Sequence, residues 1–165
     1  MENNKPKVFD ENLHSLLEKT PLLFRRFEPD ELRHFLMLGH KETYQTDDIL
    51  VQESEQSKNT AFLIIEGQVS IWSEEIHLAD LSAGDFIGET FLFGNGSRTA
   101  TGKATRHTIV LRFERDEVLH FFRTMPERLF KVFIMNIIEI QQGKIAVMNT
   151  KTVQLKRRLL KNEEE

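Results

Sequence analysis

A series of short strand-like segments between residues 41 and 114 constrains the fold of this chain more than any other feature. The segments alternate apolar and polar residues or are rich in β-branched and aromatic residues, and turn residues such as Asp47-Asp48 and Gly84-Asp85 separate them. Strands at roughly 8–12-residue spacing are typical of antiparallel sandwiches and rolls. The predicted strands lie in ETYQ, DILVQ, TAFLIIEG, QVSIWS, IHLADL, TATGKAT and HTIVLRF.

Helical patterns flank the strand region. Residues 10–38 predict two helices: Asp10 is the N-cap of a helix that Pro21 ends, and Pro29 lies in the first turn of the second. Pro126 begins a third helical region, which extends to about residue 160. The sequence thus predicts an α+β fold, an antiparallel, jelly-roll-like β-roll with N-terminal helices and a long C-terminal helix. We divide the chain into an N-terminal helical segment (1–40), the β-roll (41–114) and C-terminal helices (115–165).

The third helical region carries a heptad pattern along one face, because apolar positions recur at alternating steps of four and three residues. Near its start, Leu129, Phe130 and Phe133 widen the apolar stripe, which indicates packing against the roll. Beyond Lys144 only the seam remains, and we expect a parallel homodimer through it; a helix that lies on the roll is the alternative. The seam positions are Ile134, Ile138, Gln141, Ile145, Met148, Thr152, Leu155 and Leu159.

The composition argues against several classes of function. The 165 residues carry a net charge of −4, which disfavours non-specific nucleic-acid binding, and the absence of cysteine excludes thiolate nucleophiles and zinc–thiolate sites. The six histidines are dispersed, and no catalytic motif accompanies them. No segment resembles a signal peptide or approaches about 18 apolar residues. We expect a cytoplasmic protein that is not an enzyme and has no metal, cofactor or membrane attachment.

The stretch GDFIGETFLFGNGSRTATGKA, residues 84–104, combines one acid, one arginine and many glycines. A dinucleotide-binding loop does not explain it, because strand-like sequence rather than a helix follows Gly96. A triphosphate-binding loop does not explain it either, since Ala104 stands where Ser or Thr must follow the lysine. The glycines therefore need another explanation.

The same stretch resembles the phosphate-binding cassette of the cyclic nucleotide-binding domain family, which includes the sensor domains of catabolite activator proteins and protein kinase A regulatory subunits. Gly88 and Glu89 match the opening of the cassette, and Arg98, Thr99 and Ala100 match its close without a gap. The segments FLIIEGQVSIW and LSAGDFIGE resemble the elements before it, and the likeness covers nearly the whole chain.

This resemblance implies how each part of the cassette would bind a ligand. A one-turn helix after Gly88 would direct backbone N–H groups at a cyclic phosphate, and Arg98 would bind an exocyclic phosphate oxygen. Glu89 would accept a hydrogen bond from the ribose 2′-hydroxyl. A threonine at position 99 would reach the phosphate and leaves both cyclic AMP and cyclic GMP open. The implied ligand-binding residues are Gly88, Glu89, Thr90, Phe91, Arg98, Thr99 and Ala100, with Ile71, Leu78 and Ala79 lining the base and ribose.

Several positions depart from the family pattern. Phe91 replaces a small residue, and its ring points either into the core or into the pocket. Gly102 replaces a β-branched residue, whereas Asp47 and Ser54 stand near turns where the family often has glycine. Gly143-Lys144 aligns with positions at which other members cap the base with hydroxyl side chains, so the base selectivity stays open.

Two functions are compatible with the sequence. The resemblance implies a regulatory sensor in which the cyclic nucleotide repositions the C-terminal helices, and these act on an unknown effector protein or downstream domain. We expect no direct DNA binding, because too few residues follow Met148 for a winged helix. The alternative is a dimerisation or scaffold module with a degenerate pocket, in which Glu89 and Arg98 pair with each other.

Overall fold

A computed structural model of the chain describes residues 21–55, 59–94 and 97–162. The strands are β1 (His40–Tyr44), β2 (Ile49–Val51), β3 (Thr60–Glu66), β4 (Gln68–Ser73), β5 (Ile76–Ser82), β6 (Phe86–Ile87), β7 (Thr101–Ala104) and β8 (Thr108–Glu114). They form a roll of two four-stranded antiparallel sheets, with strand orders β1-β8-β3-β6 and β2-β7-β4-β5. The predicted antiparallel β-roll is confirmed.

Strand β3 is the centre of the fold because both of its faces are buried. Leu63 belongs to the cluster shared with the helices, whereas Phe62 and Ile64 belong to the cluster between the two sheets. A strand buried on both faces has no polar positions to alternate with, which explains the continuous apolar run of its sequence.

The helices pack on the outer face of the first sheet. They are α1 (Pro29–Leu36), α2 (Arg115–Thr124) and α3 (Glu127–Asn162), with 3₁₀ helices at Leu22–Phe24 and Phe91–Phe93. A capping box of Glu28 and Glu31 begins α1, with Pro29 at its first position. The predicted helices at Pro29 and after Pro126 are confirmed, and the one beginning near Asp10 lies outside the described residues.

Phenylalanine fills the space between these helices and the sheet. Phe35 of α1 packs on Phe113 of β8 and on Phe133 of α3, with ring centroids 5.1 and 5.5 Å apart. Rings without a polar group can be buried completely at no hydrogen-bonding cost, and this accounts for the excess of Phe over Tyr and Trp.

Helix α3 divides into an anchored half and an exposed half. Its buried residues Leu129, Phe133 and Ile137 join the core, and the side-chain amide of Asn136 donates to the backbone oxygens of Leu23 (2.9 Å) and Arg25 (2.7 Å). From residue 142 to residue 162 every position is exposed. No helix in the described ranges is both long and apolar enough to cross a membrane.

Three local features were not predicted. Strand β6 lies inside the segment interpreted as a turn and lead-in. Asp47 and Ser54 adopt φ angles of 76° and 67°, the left-handed conformation that glycine would adopt without strain. The side chain of Gln141, predicted to lie in the helical seam, instead donates a hydrogen bond to Glu89 of the roll.

Candidate functional site

Gly88 brings the two ends of the cassette together. It follows β6 with a φ of 79°, and a Cβ built on it would lie 2.5 Å from Nη1 of Arg98 and 3.2 Å from the backbone oxygen of Thr60. Any larger residue would collide with the guanidinium or with the strand. The glycine is thus required both for its backbone conformation and for the close approach of Arg98.

Arg98 is a buried cation with incomplete partners. Only 8% of the residue is exposed, and Nη2 donates to the backbone oxygen (2.7 Å) and hydroxyl (3.0 Å) of Thr60. Its Nε is buried and has no hydrogen-bond acceptor among the described residues. Burial lowers the pKa of Arg98, an effect that Glu55 opposes. Since arginine still keeps its charge at neutral pH, the site holds a buried positive charge with a free donor.

Glu89 follows Gly88 directly in the chain, and its side-chain partners come from helix α3. Its Oε1 accepts a hydrogen bond from Nε2 of Gln141 (2.6 Å) and forms an ion pair with Nζ of Lys144. Glu89 and Arg98 form no ion pair with each other in the described part of the chain, so the mutual pairing considered as an alternative does not describe this structure.

The ring of Phe91 points into the core. The residue is 1% exposed and belongs to the cluster between the first sheet and the helices. The predicted one-turn helix is the 3₁₀ helix Phe91–Phe93, whose first N–H donates to the oxygen of Gly88 (2.9 Å). Of the two alternatives for Phe91, the structure has the one that leaves the pocket uncrowded. Thr90 and Thr99 are exposed, and Ala100 is half-buried.

The predicted apolar wall lies on β4 and β5. Ile71 pairs with Ala79 and Trp72 with His77, which leaves Leu78 as the extra residue of a β-bulge. In a regular strand, two consecutive side chains point to opposite faces, whereas a bulge re-aims one of them. Leu78 and Ala79 are both exposed, and their role in lining the base and ribose stays a prediction.

Gly102 leaves no cavity where a β-branched residue was expected. A Cβ there would lie 3.0 Å from Cγ2 of Val51 and 3.5 Å from Cδ1 of Ile71. The side chains of the neighbouring strands therefore occupy the space that a larger residue at position 102 would fill.

Three partners of the site were not predicted: Thr60 of Arg98, and Gln141 and Lys144 of Glu89. Thr60 binds Arg98 across 38 positions of sequence, and Lys144 binds Glu89 across 55. No local pattern marks Thr60. Lys144 was noted at a base-capping position, but its pairing with Glu89 depends on where α3 crosses the cassette.

The fold and the site define a class of protein: β-roll domains in which a glycine-containing cassette joins a buried arginine and glutamate beneath a long helix. Residues 41–125 match the family described as cyclic nucleotide-binding domain. The chain belongs to this family.

Solved structures from several organisms share the fold. The catabolite activator protein of Thermus thermophilus aligns with a TM-score of 0.71 and 20% identity, over 81% of this chain and 62% of that protein. The N-terminal domain of a transcriptional regulator from Streptomyces coelicolor A3(2) gives 0.67 and 21%, over 74% and 90%. The regulatory subunit of a cAMP-independent protein kinase A from Trypanosoma brucei gives 0.65 and 18%, over 80% and 45%.

This chain spans less than two thirds of the length of the Thermus protein. No curated protein sequence matches it. Sequence identities of this size establish a common fold but not a common ligand or effector. Those have to be inferred from the chemistry of the site.

Proposed function

We propose that this protein is a cyclic nucleotide sensor, with cyclic AMP as the leading ligand and cyclic GMP as the second. The observation that carries the proposal is the buried guanidinium of Arg98, whose Nε has no acceptor among the described residues and whose Nη1 lies against Gly88. A cyclic phosphate is a compact monoanion, and it would satisfy both the charge and the free donor.

The remaining groups fit the rest of a nucleotide. Glu89 would accept the ribose 2′-hydroxyl, and Thr99, which is exposed beside Arg98, would donate to the phosphate. Ile71, Leu78 and Ala79 would contact the ribose and base through apolar surface. Leu78 and Ala79 lie on β5, an edge strand that pairs only with β4 among the described strands, and their apolar side chains are exposed and available to a ligand.

Helix α3 is the element that would carry the signal. Its side chains contact Glu89 directly, so a ligand that engages Glu89 would change the free energy of the helix position. We propose that this cytoplasmic module is a homodimer that acts on an effector protein or downstream domain and performs no catalysis, DNA binding or membrane attachment itself.

A second candidate is a dimerisation module that binds no nucleotide. One observation favours it: the carboxylate of Glu89 has two side-chain partners within the chain, Gln141 and Lys144. The free donor of Arg98 favours the sensor instead, because a buried donor without an acceptor costs about 1–3 kcal/mol.

Thermal unfolding and calorimetric titration test the proposal. A ligand at about a hundred times its dissociation constant stabilises a fold by about 2.7 kcal/mol, which raises the melting temperature of a domain of this size by about 5–10 °C. We expect this shift with cyclic AMP or cyclic GMP and a far smaller one with 5′-AMP, which lacks the cyclic phosphate. If millimolar cyclic nucleotide produced neither heat nor a shift, the dimerisation module would replace the sensor.

A further inference from the structure

The exposed half of α3 carries an apolar seam with positive charges beside it. Ile145, Met148, Leu155 and Leu159 are each more than half exposed along one face of the helix. Helices with one apolar face and a basic remainder are typical of segments that bind either an acidic protein or a membrane surface. Positions 140–162 contain no Asp or Glu, and their cations are Lys144, Lys151, Lys156, Arg157, Arg158 and Lys161.

The cations at the borders of the seam follow its heptad period. Lys151 and Arg158 lie seven residues apart, and each directly precedes a seam residue, Thr152 or Leu159. Lys156 directly follows the seam residue before Arg158 in the chain, and all of these side chains are exposed. In heptad notation the cations occupy the g and e positions, whose charges meet across the interface of two paired helices and decide which helices pair.

These positions disfavour a second copy as the best partner of the seam. In a parallel pair, a g residue faces the e residue five positions further along the other helix, so Lys151 of one copy would face Lys156 of the other. Like charges in such positions repel each other and select against self-pairing. The seam is therefore covered most favourably by a helix that carries carboxylates at its e and g positions.

The placement of the cations also favours a protein partner over a membrane. A lipid surface attracts cations anywhere around the polar face of a helix and does not require a period of seven residues. Helices that lie on membranes commonly insert Trp or Phe, whereas positions 140–162 contain no aromatic residue, and Thr152 interrupts the apolar face. A narrow seam with charges at its borders is instead typical of helix pairing.

We propose that residues 145–159 of α3 bind an acidic heptad helix of the effector protein, with Glu or Asp facing Lys151, Lys156 and Arg158. This inference rests on the proposed function, since it takes α3 as the element that acts on an effector. The homodimer is then the assembly formed without the effector, in which the seam is covered despite the repulsion of its own cations. An effector helix replaces one copy because each repulsive contact becomes an attractive one.

Two synthetic peptides test this charge preference with the full chain. Each is about four heptads long with Ile at a and Leu at d, and one carries Glu at every e and g position where the other carries Lys. We expect the parent protein to bind the Glu peptide at least about tenfold more tightly than the Lys peptide in fluorescence anisotropy at low salt. Added salt should weaken the complex with the Glu peptide, because it screens the attraction.

Lys151→Glu combined with Arg158→Glu reverses the charges beside the seam and should reverse the preference, so that the Lys peptide binds more tightly. Arg157→Glu with Lys161→Glu is the matched control, since it makes the same change in net charge at exposed positions away from the seam. The control should keep its preference for the Glu peptide. If it lost that preference as fully as the reversal variant, only the overall charge of the helix would matter and the proposal would be overturned.

The peptide titrations are made without nucleotide, so their outcome is independent of the ligand assigned to Arg98. Equal affinity for the two peptides, or a homodimer that light scattering shows unchanged by excess Glu peptide, would overturn the acidic partner and leave the seam to a second copy. Binding of the parent to phosphatidylserine vesicles or duplex DNA in place of the Glu peptide would overturn it as well. Failure of the nucleotide titration alongside an intact charge preference would instead remove the sensor and support the docking surface.

Discussion

At the scale of single residues, Arg98 sets the chemistry of the site. Its guanidinium is desolvated, donates hydrogen bonds to the two oxygens of Thr60 and interacts electrostatically with Glu55. Such a group weakens the ligand-free fold, because a buried charge is compensated fully only by an opposite charge with good geometry. The buried Nε, which has no acceptor among the described residues, is the donor that a bound anion would satisfy.

Arg98→Leu is therefore expected to separate binding from stability. Loss of the charge-assisted bond to the phosphate should weaken cyclic nucleotide binding by about 2–4 kcal/mol, or about 30- to 1000-fold. The ligand-free protein should lose less than about 1 kcal/mol, since the substitution also removes the desolvated charge. Calorimetric titration and urea unfolding measure the two quantities.

Arg33→Leu is the control for this substitution, because Arg33 is exposed on α1 without a polar partner among the described residues. It should leave the affinity unchanged. Equal binding by Arg98→Leu and the parent would show that the phosphate is held elsewhere and that the cassette assignment is wrong.

At the scale of elements, helix α3 combines a rigid start with a weak middle. The first half is fixed by core residues such as Phe133 and by the amide of Asn136. Gly143 follows where the helix leaves the roll, and no packing contact requires a glycine there. A helical glycine without such a requirement lowers helix stability and places the most deformable residue beside the contact with Glu89.

Gly143→Ala should stiffen this part of the helix. Alanine is favoured over glycine in a helix interior by about 1 kcal/mol, so amide exchange over residues 140–150 should slow by about fivefold. Ala146→Gly makes the opposite change at an exposed position one turn later and should speed exchange by a similar factor. If Gly143→Ala left exchange unchanged or accelerated it, the glycine would have a structural role that its open surroundings do not reveal.

At the scale of the whole molecule, the exposed half of α3 presents an apolar seam to the solvent. Ile145, Met148, Leu155 and Leu159 are each more than half exposed and continue the heptad seam. Ile134 packs against the core and Gln141 binds Glu89, so the seam available to a partner is shorter than the sequence predicted. Water contact with this apolar surface costs about 25 cal/mol per Å², and pairing with a second copy would remove it.

Ile145→Asp combined with Leu155→Asp should dissociate the proposed dimer, because it places two unpaired charges in the seam. Val147→Asp with Val153→Asp is the matched control, since these valines are exposed on the same helix but lie off the seam. Light scattering at micromolar concentration should give a dimer for the parent and the control and a monomer for the seam variant. A monomeric parent, or a dimeric seam variant, would show that another surface forms the assembly.

Salt should strengthen this dimer. Residues 140–162 contain Lys and Arg but no Asp or Glu, so parallel pairing brings two positively charged helices together. Added salt screens that repulsion while the apolar contribution persists, and the dissociation constant should fall as the salt concentration rises.

The sequence by itself determined most of the architecture. Strand positions followed from short β-type segments and turn residues, helix starts followed from Pro29 and Pro126, and Gly88, Glu89 and Arg98 marked the cassette. These features are local: a period of two or 3.6 residues, a fixed φ or a motif can be read within one stretch of chain. The division of the chain into three segments, and the roles of the site residues, stay predictions.

Only the tertiary structure decided which groups meet. The ring of Phe91 packs into the core against residues of other elements. Thr60 binds Arg98 across 38 positions of sequence, and Lys144 pairs with Glu89 across 55. A hydrophobic period tells which face of an element is buried, but not where another element crosses it or which side chain lies at the crossing. Those positions depend on the packing of the sheets and helices as a whole, and the arrangement of the candidate site depends on them.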